Sequence, residues 1–288
     1  MFCDSEDATL VHAGGRDVLL RPVEDVDARA TVVLFHGFGE SSCTWIDRVE
    51  GRRLTDQLQN LGYVVVAPDA GPATAAWRTG WPNNEDVVGV DAALEQLADE
   101  GLIDASVPAV SLGHSNGGAF APIWAEESTL LDVRAAVNAN GWASSALGAS
   151  ADPPPLLFIS ARNDIIVPSA VTRAAERHAR EAGHEVQAIE NVLQVVEWNR
   201  FARIPAVDEE GSQALFNALG ARGLLDDEDK LKSNPRLDRR WTDAVPDDLT
   251  DLTDDIEEQL HVLYAEHRFS SDNQGRIVSF FENAVTPE

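Results

Sequence analysis

Lysine is nearly absent from this chain of 288 residues: Lys230 and Lys232 are the only two, and the other 20 basic residues are arginine. Even together the basic residues are few. They face 49 acidic ones, for a net charge of −27. A surface so polyanionic repels nucleic acid and anionic lipid, so neither nucleic acid nor membrane is expected as a partner. Cysteine is scarce as well, and Cys3 and Cys43 are too few for a disulfide framework or a zinc site. No stretch approaches the roughly 18 apolar residues of a membrane span. The acidic start, Met-Phe-Cys-Asp-Ser-Glu-Asp, has no apolar signal region. These absences make a cytoplasmic location the expectation.

Crowded like charge strains a compact fold in dilute buffer, whereas in molar salt the Debye length falls to about 3 Å. The composition thus resembles that of proteins from salt-accumulating halophiles. A GC-rich genome accounts better for the arginine bias than for the size of the charge. Apolar residues make up 44% of the chain, enough for the core of one large α/β domain with a small insertion.

The stretch that organises the chain is Gly113-His114-Ser115-Asn116-Gly117-Gly118. It follows an apolar run, 107–112, suited to a buried strand, and precedes a segment, 119–126, that can continue as a helix. A serine on so sharp a strand-to-helix turn is lifted clear of the sheet, and glycine at 113 and 117 removes the side chains that would collide around it. The motif is common by chance; its strand–turn–helix context makes Ser115 a candidate nucleophile.

Around this turn the chain alternates strand and helix. Residues 8–12 and 17–21 read as a hairpin about Gly14-Gly15, and 31–35, 63–67, 135–138, 156–160 and 185–189 read as further strands. Helices are expected at 51–61, from Asn84 along Val87, Val90, Leu94 and Leu97, and at 169–182. Such alternation implies a mostly parallel sheet covered on both faces. After the third strand comes His36-Gly37-Phe38-Gly39-Glu40, a turn whose glycines let backbone approach a ligand and whose Phe38 amide can face a developing oxyanion. His36 reads as a structural hydrogen-bonding residue. Asp69 reads as a loop-ordering residue. Trp45, Trp77 and Trp81 lie in loops after strands, where they either wall a substrate pocket or pack in the core.

The His-Gly turn at 36–37, the elbow at 113–117, the loop at Asp164 and a late histidine together resemble the α/β-hydrolase superfamily. The resemblance covers roughly 8–190 and 260–285. Asn84 to Asp91 followed by Gly-His-Ser-Asn-Gly-Gly is most similar to the polyhydroxybutyrate-depolymerase and feruloyl-esterase-like group. Dienelactone-hydrolase-like neighbours carry cysteine as nucleophile where this chain has Ser115. The resemblance implies a twisted, mostly parallel sheet with helices on both faces and the order nucleophile, acid, histidine.

Asp164 follows the 156–160 strand, where the acid of that order resides, and a buried carboxylate there fixes the histidine tautomer. It also reads as an Asx-type turn residue before Val167-Pro168. Asp152 is the alternative acid, in a Pro-rich linker. Of the late histidines, His178 and His184 are expected to face solvent. His267 precedes a C-terminal helix carrying Ile277, Val278 and Phe281, as the superfamily's base does, while His261 sits inside an amphipathic helix with Leu252, Ile256, Leu260 and Leu263. The departure is a charged insertion of roughly 65 residues, and a loop of that length is usually a lid or disordered. The expected division is therefore a core of 1–191 and 259–288, with a small helical cap at 192–258.

The resemblance implies a serine hydrolase, foremost a carboxylic-ester hydrolase acting on a small-molecule ester. Ser115 attacks, His267 moves the proton, Asp164 orients His267, and the amides of Phe38 and Asn116 hold the oxyanion. No metal or other cofactor is needed. A peptidase or other acyl-transfer enzyme on the same triad, or a non-catalytic ligand-binding member of the fold, are the alternatives.

Overall fold

The structure is a computed structural model that describes residues 8–23, 28–71, 75–80, 84–143, 147 and 152–286. Among the described residues eight strands form one sheet: β1 (Thr9–Ala13), β2 (Arg16–Arg21), β3 (Ala30–Phe35), β4 (Tyr63–Pro68), β5 (Ala109–His114), β6 (Val133–Ala139), β7 (Leu156–Ala161) and β8 (Val186–Asn191). Their order across the sheet is β1-β2-β4-β3-β5-β6-β7-β8. The β1–β2 hairpin joins β4 antiparallel, and the ladders from β4 through β7 are parallel.

Strand residues alternate between two cores because successive side chains point to opposite faces. Val32 and Leu34 of β3, Val65 and Ala67 of β4, and Val110 and Leu112 of β5 face one core. The helices α1 (Thr44–Asp47) and α2 (Val49–Asn60) and the C-terminal helix Gln274–Val285 close it with Trp45, Ile46, Leu54, Leu58, Ile277 and Phe281. Val33, Phe35, Val64 and Val66 face the other, closed by α3 (Glu85–Asp99) and α4 (Asn116–Glu127) through Val90, Leu94, Phe120 and Trp124. The strand expected at 107–112 lies two residues later. Pro108 has no N–H to donate, and β5 instead continues through Gly113 and His114 because β6 pairs with both. The Asn84 side chain caps α3 by accepting from Asp86 N–H, as its position suggested. The four-residue α1 has no precedent in the sequence reading, being too short to show a period.

His184 departs from the expectation that it faces solvent. Just after α5 (Ser169–Glu181), its ring is buried against Glu126 at the end of α4, 2.6 Å away, and its Nδ1 lies 2.8 Å from the Pro154 carbonyl. Burial pushes the imidazole pKa down, but the Glu126 hydrogen bond and charge and the Pro154 carbonyl outweigh it, so the pKa is raised. A raised folded-state pKa adds stability that is complete below the unfolded value near 6.5 and is lost as pH rises through the folded value. Urea unfolding at pH 5.5 and 8.5 should show this loss, and His184→Gln should flatten that part of the pH dependence.

The chain packs as two compact units. The first comprises 1–160, 170–189 and 269–288, and the second 161–169 and 190–268. The second therefore contains the loop after β7 and the segment up to Arg268 as well as the expected 192–258 insertion. It is folded, with helices α6 (Glu209–Ala221) and α7 (Thr253–Leu263). Its charged run at 225–240 is held by bridges between Val195 and Lys230 and between Leu225 and Leu231. Trp241 beyond it is 2% exposed and donates to the Pro235 carbonyl.

Candidate active site

The elbow is a product of close packing. A Cβ on Gly113 would stand 2.0 Å from the Gly117 carbonyl oxygen, and one on Gly117 would stand 2.2 Å from that of Phe35. With glycine at both places β5 turns directly into α4, and Ser115 between them takes φ 57°, ψ −117°. That is outside the left-handed helical well as well as the ordinary regions, and such a backbone costs on the order of 1–3 kcal/mol. Two backbone bonds hold it: Ser115 N–H to Ala139 at 2.8 Å, and Ala119 N–H to the Ser115 carbonyl at 3.1 Å.

Beside the elbow, the turn at 37–40 is closed on itself. Gly37 N–H donates to the Glu40 carboxylate at 2.9 Å, Gly39 N–H to Ala75 at 2.9 Å, and Glu40 N–H to Gly37 at 3.2 Å. Among the described residues the Phe38 N–H has no acceptor, while its ring is 73% exposed. Asn116 is the first residue of α4, where an amide has no partner within its own helix. The Asn116 side chain has a role that sequence reading missed: its Oδ1 accepts from Trp77 N–H at 2.6 Å and its Nδ2 donates to the Trp77 carbonyl at 3.0 Å.

That clamp fixes Trp77 in the core. Its indole stacks on Phe120 at 4.8 Å, meets Phe35 edge-on at 5.1 Å and donates to the His36 carbonyl at 3.0 Å. Trp45 packs edge-on against Phe269 at 5.3 Å. Both indoles are 3% exposed, Trp45 in one core of the sheet and Trp77 in the other. Trp81 lies outside the described residues. His36 is structural: Nε2 accepts from Ala70 N–H at 3.0 Å, so in the neutral ring Nδ1 carries the proton, 2.8 Å from the Gly37 carbonyl. Burial keeps this ring below the usual histidine pKa. Asp69 orders the loop before α1, accepting from Ser42 N–H at 2.5 Å.

In the second unit, Asp164 and His267 meet although 103 residues separate them. His267 Nδ1 is 2.6 Å from Asp164 Oδ2, and the carboxylate is fully buried. The other oxygen, Oδ1, accepts from Ile166 and Val167 N–H, each at 2.8 Å. The Asx-type turn and the histidine contact thus coexist, one oxygen each. The two loops are also joined by Asn163, whose N–H donates to the Ala265 carbonyl at 3.0 Å and whose side-chain amide donates to that of Tyr264 at 2.7 Å.

His261 is differently placed. It is 1% exposed on α7, and among the described residues neither ring nitrogen has a hydrogen-bond partner. Burial, then the charges of Arg268 and Arg236, push its pKa down to about 3, so the ring is neutral and inert to protonation near pH 7. Asp152 is exposed ahead of β7. Among the described residues no group of three or more His, Cys, Asp or Glu could hold a metal ion, and no helix is long and apolar enough to cross a membrane.

The strand order, the antiparallel hairpin at one end of the parallel sheet and the strand–Ser115–helix turn are those of the α/β-hydrolase fold. Among solved structures, that of a thermostable esterase superposes with a TM-score of 0.50 at 23% identity, over 64% of this chain and 53% of that one. The chain therefore spans about half of that esterase's length. Also similar are a Pyrococcus furiosus esterase (TM-score 0.48, 15% identity, 64% of this chain and 81% of that one) and a Pyrococcus horikoshii acylaminoacyl peptidase (0.47, 16%, 64% and 36%). No protein-family model and no curated protein matches the chain.

Proposed function

We propose that this chain is a serine hydrolase that cleaves carboxylic esters through an acyl-enzyme. The observation that carries the proposal is the backbone of Ser115, a non-glycine residue held at φ 57°, ψ −117° between a strand and a helix. Strain of this kind persists only where surrounding packing enforces it. It presents the hydroxyl to an incoming carbonyl. The proposed general base is His267, whose Nδ1 proton Asp164 would hold, leaving Nε2 as acceptor for the serine proton. His267 then returns that proton to the leaving alcohol. The amides of Phe38 and Asn116 are the proposed oxyanion donors, and one such donor is worth about 3 kcal/mol in other hydrolases. None of these steps calls for a metal or cofactor. The 192–258 segment is proposed as a cap, and the acidic surface as an adaptation to concentrated salt.

The test is hydrolysis of p-nitrophenyl esters of graded acyl length, in molar potassium chloride and in dilute buffer. Turnover that saturates with substrate and depends on acyl length is expected, with more activity retained in salt. Absence of turnover across the panel under both conditions, with the protein folded, would refute the ester assignment.

A further inference from the structure

The residue preceding the proposed base, Glu266, is fully buried and carries more contacts than a packing residue needs. Arg236, from the insertion, donates to its Oε2 through Nε at 2.9 Å and Nη2 at 2.7 Å. The other oxygen, Oε1, lies 3.4 Å from the N–H of Ile165, next to Asp164. The Glu266 backbone is fixed too, its N–H donating to the His261 carbonyl at 2.9 Å and its carbonyl accepting from Arg268 N–H at 2.8 Å. One carboxylate thus ties together the loop bearing His267, the loop bearing Asp164 and the insertion. Arg236 is itself set in a formed turn: its N–H donates to Asn234 Oδ1 at 2.8 Å, and the Asn234 carbonyl accepts from Leu237 and Asp238 N–H.

A buried carboxylate without a partner is strongly disfavoured, so Glu266 stays in place only while Arg236 answers it. Loss of the guanidinium would free Glu266 to turn outward, and His267 is the next residue along the backbone. A displacement of about 1 Å at a reacting group can cost on the order of 100-fold in rate.

Resting on the serine-hydrolase reading above, we infer that Arg236 is a positioning residue: acting through Glu266, it holds His267 against Asp164. The insertion would then be part of the acid–base apparatus rather than a cover alone. This also accounts for how a chain with so long a segment before its histidine can keep that histidine in register with Asp164.

The experiment compares the full-length wild type with Arg236→Ala, Arg236→Lys and Glu266→Gln, measuring kcat, KM and melting temperature. Arg236→Ala should lower kcat about 30-fold with KM within about twofold, because ground-state contacts to substrate are untouched. Arg236→Lys, which keeps the charge and one donor, should recover most of that loss. Glu266→Gln should resemble Arg236→Ala in kcat. If Arg236→Ala does not fold, the lysine and glutamine variants carry the test, and a wild-type kcat in both overturns the inference. A wild-type kcat in a folded Arg236→Ala, or a loss in KM alone, also overturns it. A wild type that turns over no ester overturns the serine-hydrolase reading itself, and this inference with it.

Discussion

His267→Ala should lower kcat about 10⁴- to 10⁶-fold, as removal of the base does in serine hydrolases. His261, six residues earlier, should be dispensable. The two rings differ in what they can do. His267 has a carboxylate 2.6 Å from Nδ1, which fixes the tautomer with the proton on that nitrogen. His261 is buried on α7, and its pKa near 3 means that an imidazolium there is strongly disfavoured. A base must become an imidazolium during each turnover, and burial and the nearby arginines oppose that at His261. Because that ring is 1% exposed, His261→Leu, which keeps most of its volume, is the better control than a cavity-forming alanine, and kcat should stay within about threefold. Circular dichroism and melting curves on both variants separate chemistry from folding. If His261→Leu abolishes activity and His267→Ala retains it, the assignment of the base is wrong.

Asp164→Asn should cost about 10⁴-fold in kcat while leaving the fold intact. The two carboxylate oxygens have separate duties, and asparagine can perform only one of them. Its carbonyl oxygen can still accept from Ile166 and Val167 N–H, which preserves the turn. Its amide then places donor hydrogens where Oδ2 had accepted from His267. The imidazole must answer with an unprotonated Nδ1, its proton moves to Nε2, and the nitrogen that should accept the serine proton no longer can. Nitrogen NMR of the His267 ring should report the exchanged tautomer, and the melting temperature should change by only a few degrees. Activity within about tenfold of wild type would reduce Asp164 to a turn residue.

The parts of the fold legible in the sequence are those written locally. Parallel strands buried on both faces appear as continuous apolar runs, so 31–35 and 63–67 were readable, and Gly113 and Gly117 flag a tight turn without knowledge of its neighbours. Features built from distant partners were not legible. The Asn116 clamp on Trp77 spans 39 residues, the Arg236–Glu266 pair 30, and the Glu50 carboxylate that accepts from Ser271 lies 221 residues away. Such pairs obey no periodicity, and neither partner alone shows in the sequence which distant residue it meets. His184 was misjudged for the same reason, since only the fold brings Glu126 and Pro154 to its ring. The candidate pair Asp164 and His267 was suggested by chain order within a resemblance; the hydrogen bond between them belongs to the structure.

Ser115 as nucleophile is the central assignment. A fluorophosphonate probe, applied to the folded protein in molar salt and located by peptide mass spectrometry, tests this most directly. Stoichiometric labelling at Ser115 and at no other residue, abolished in Ser115→Ala and slowed by at least about 10³-fold in His267→Ala, is the predicted result. A folded protein that takes no label, or one labelled as fast at another residue as at Ser115, would contradict it.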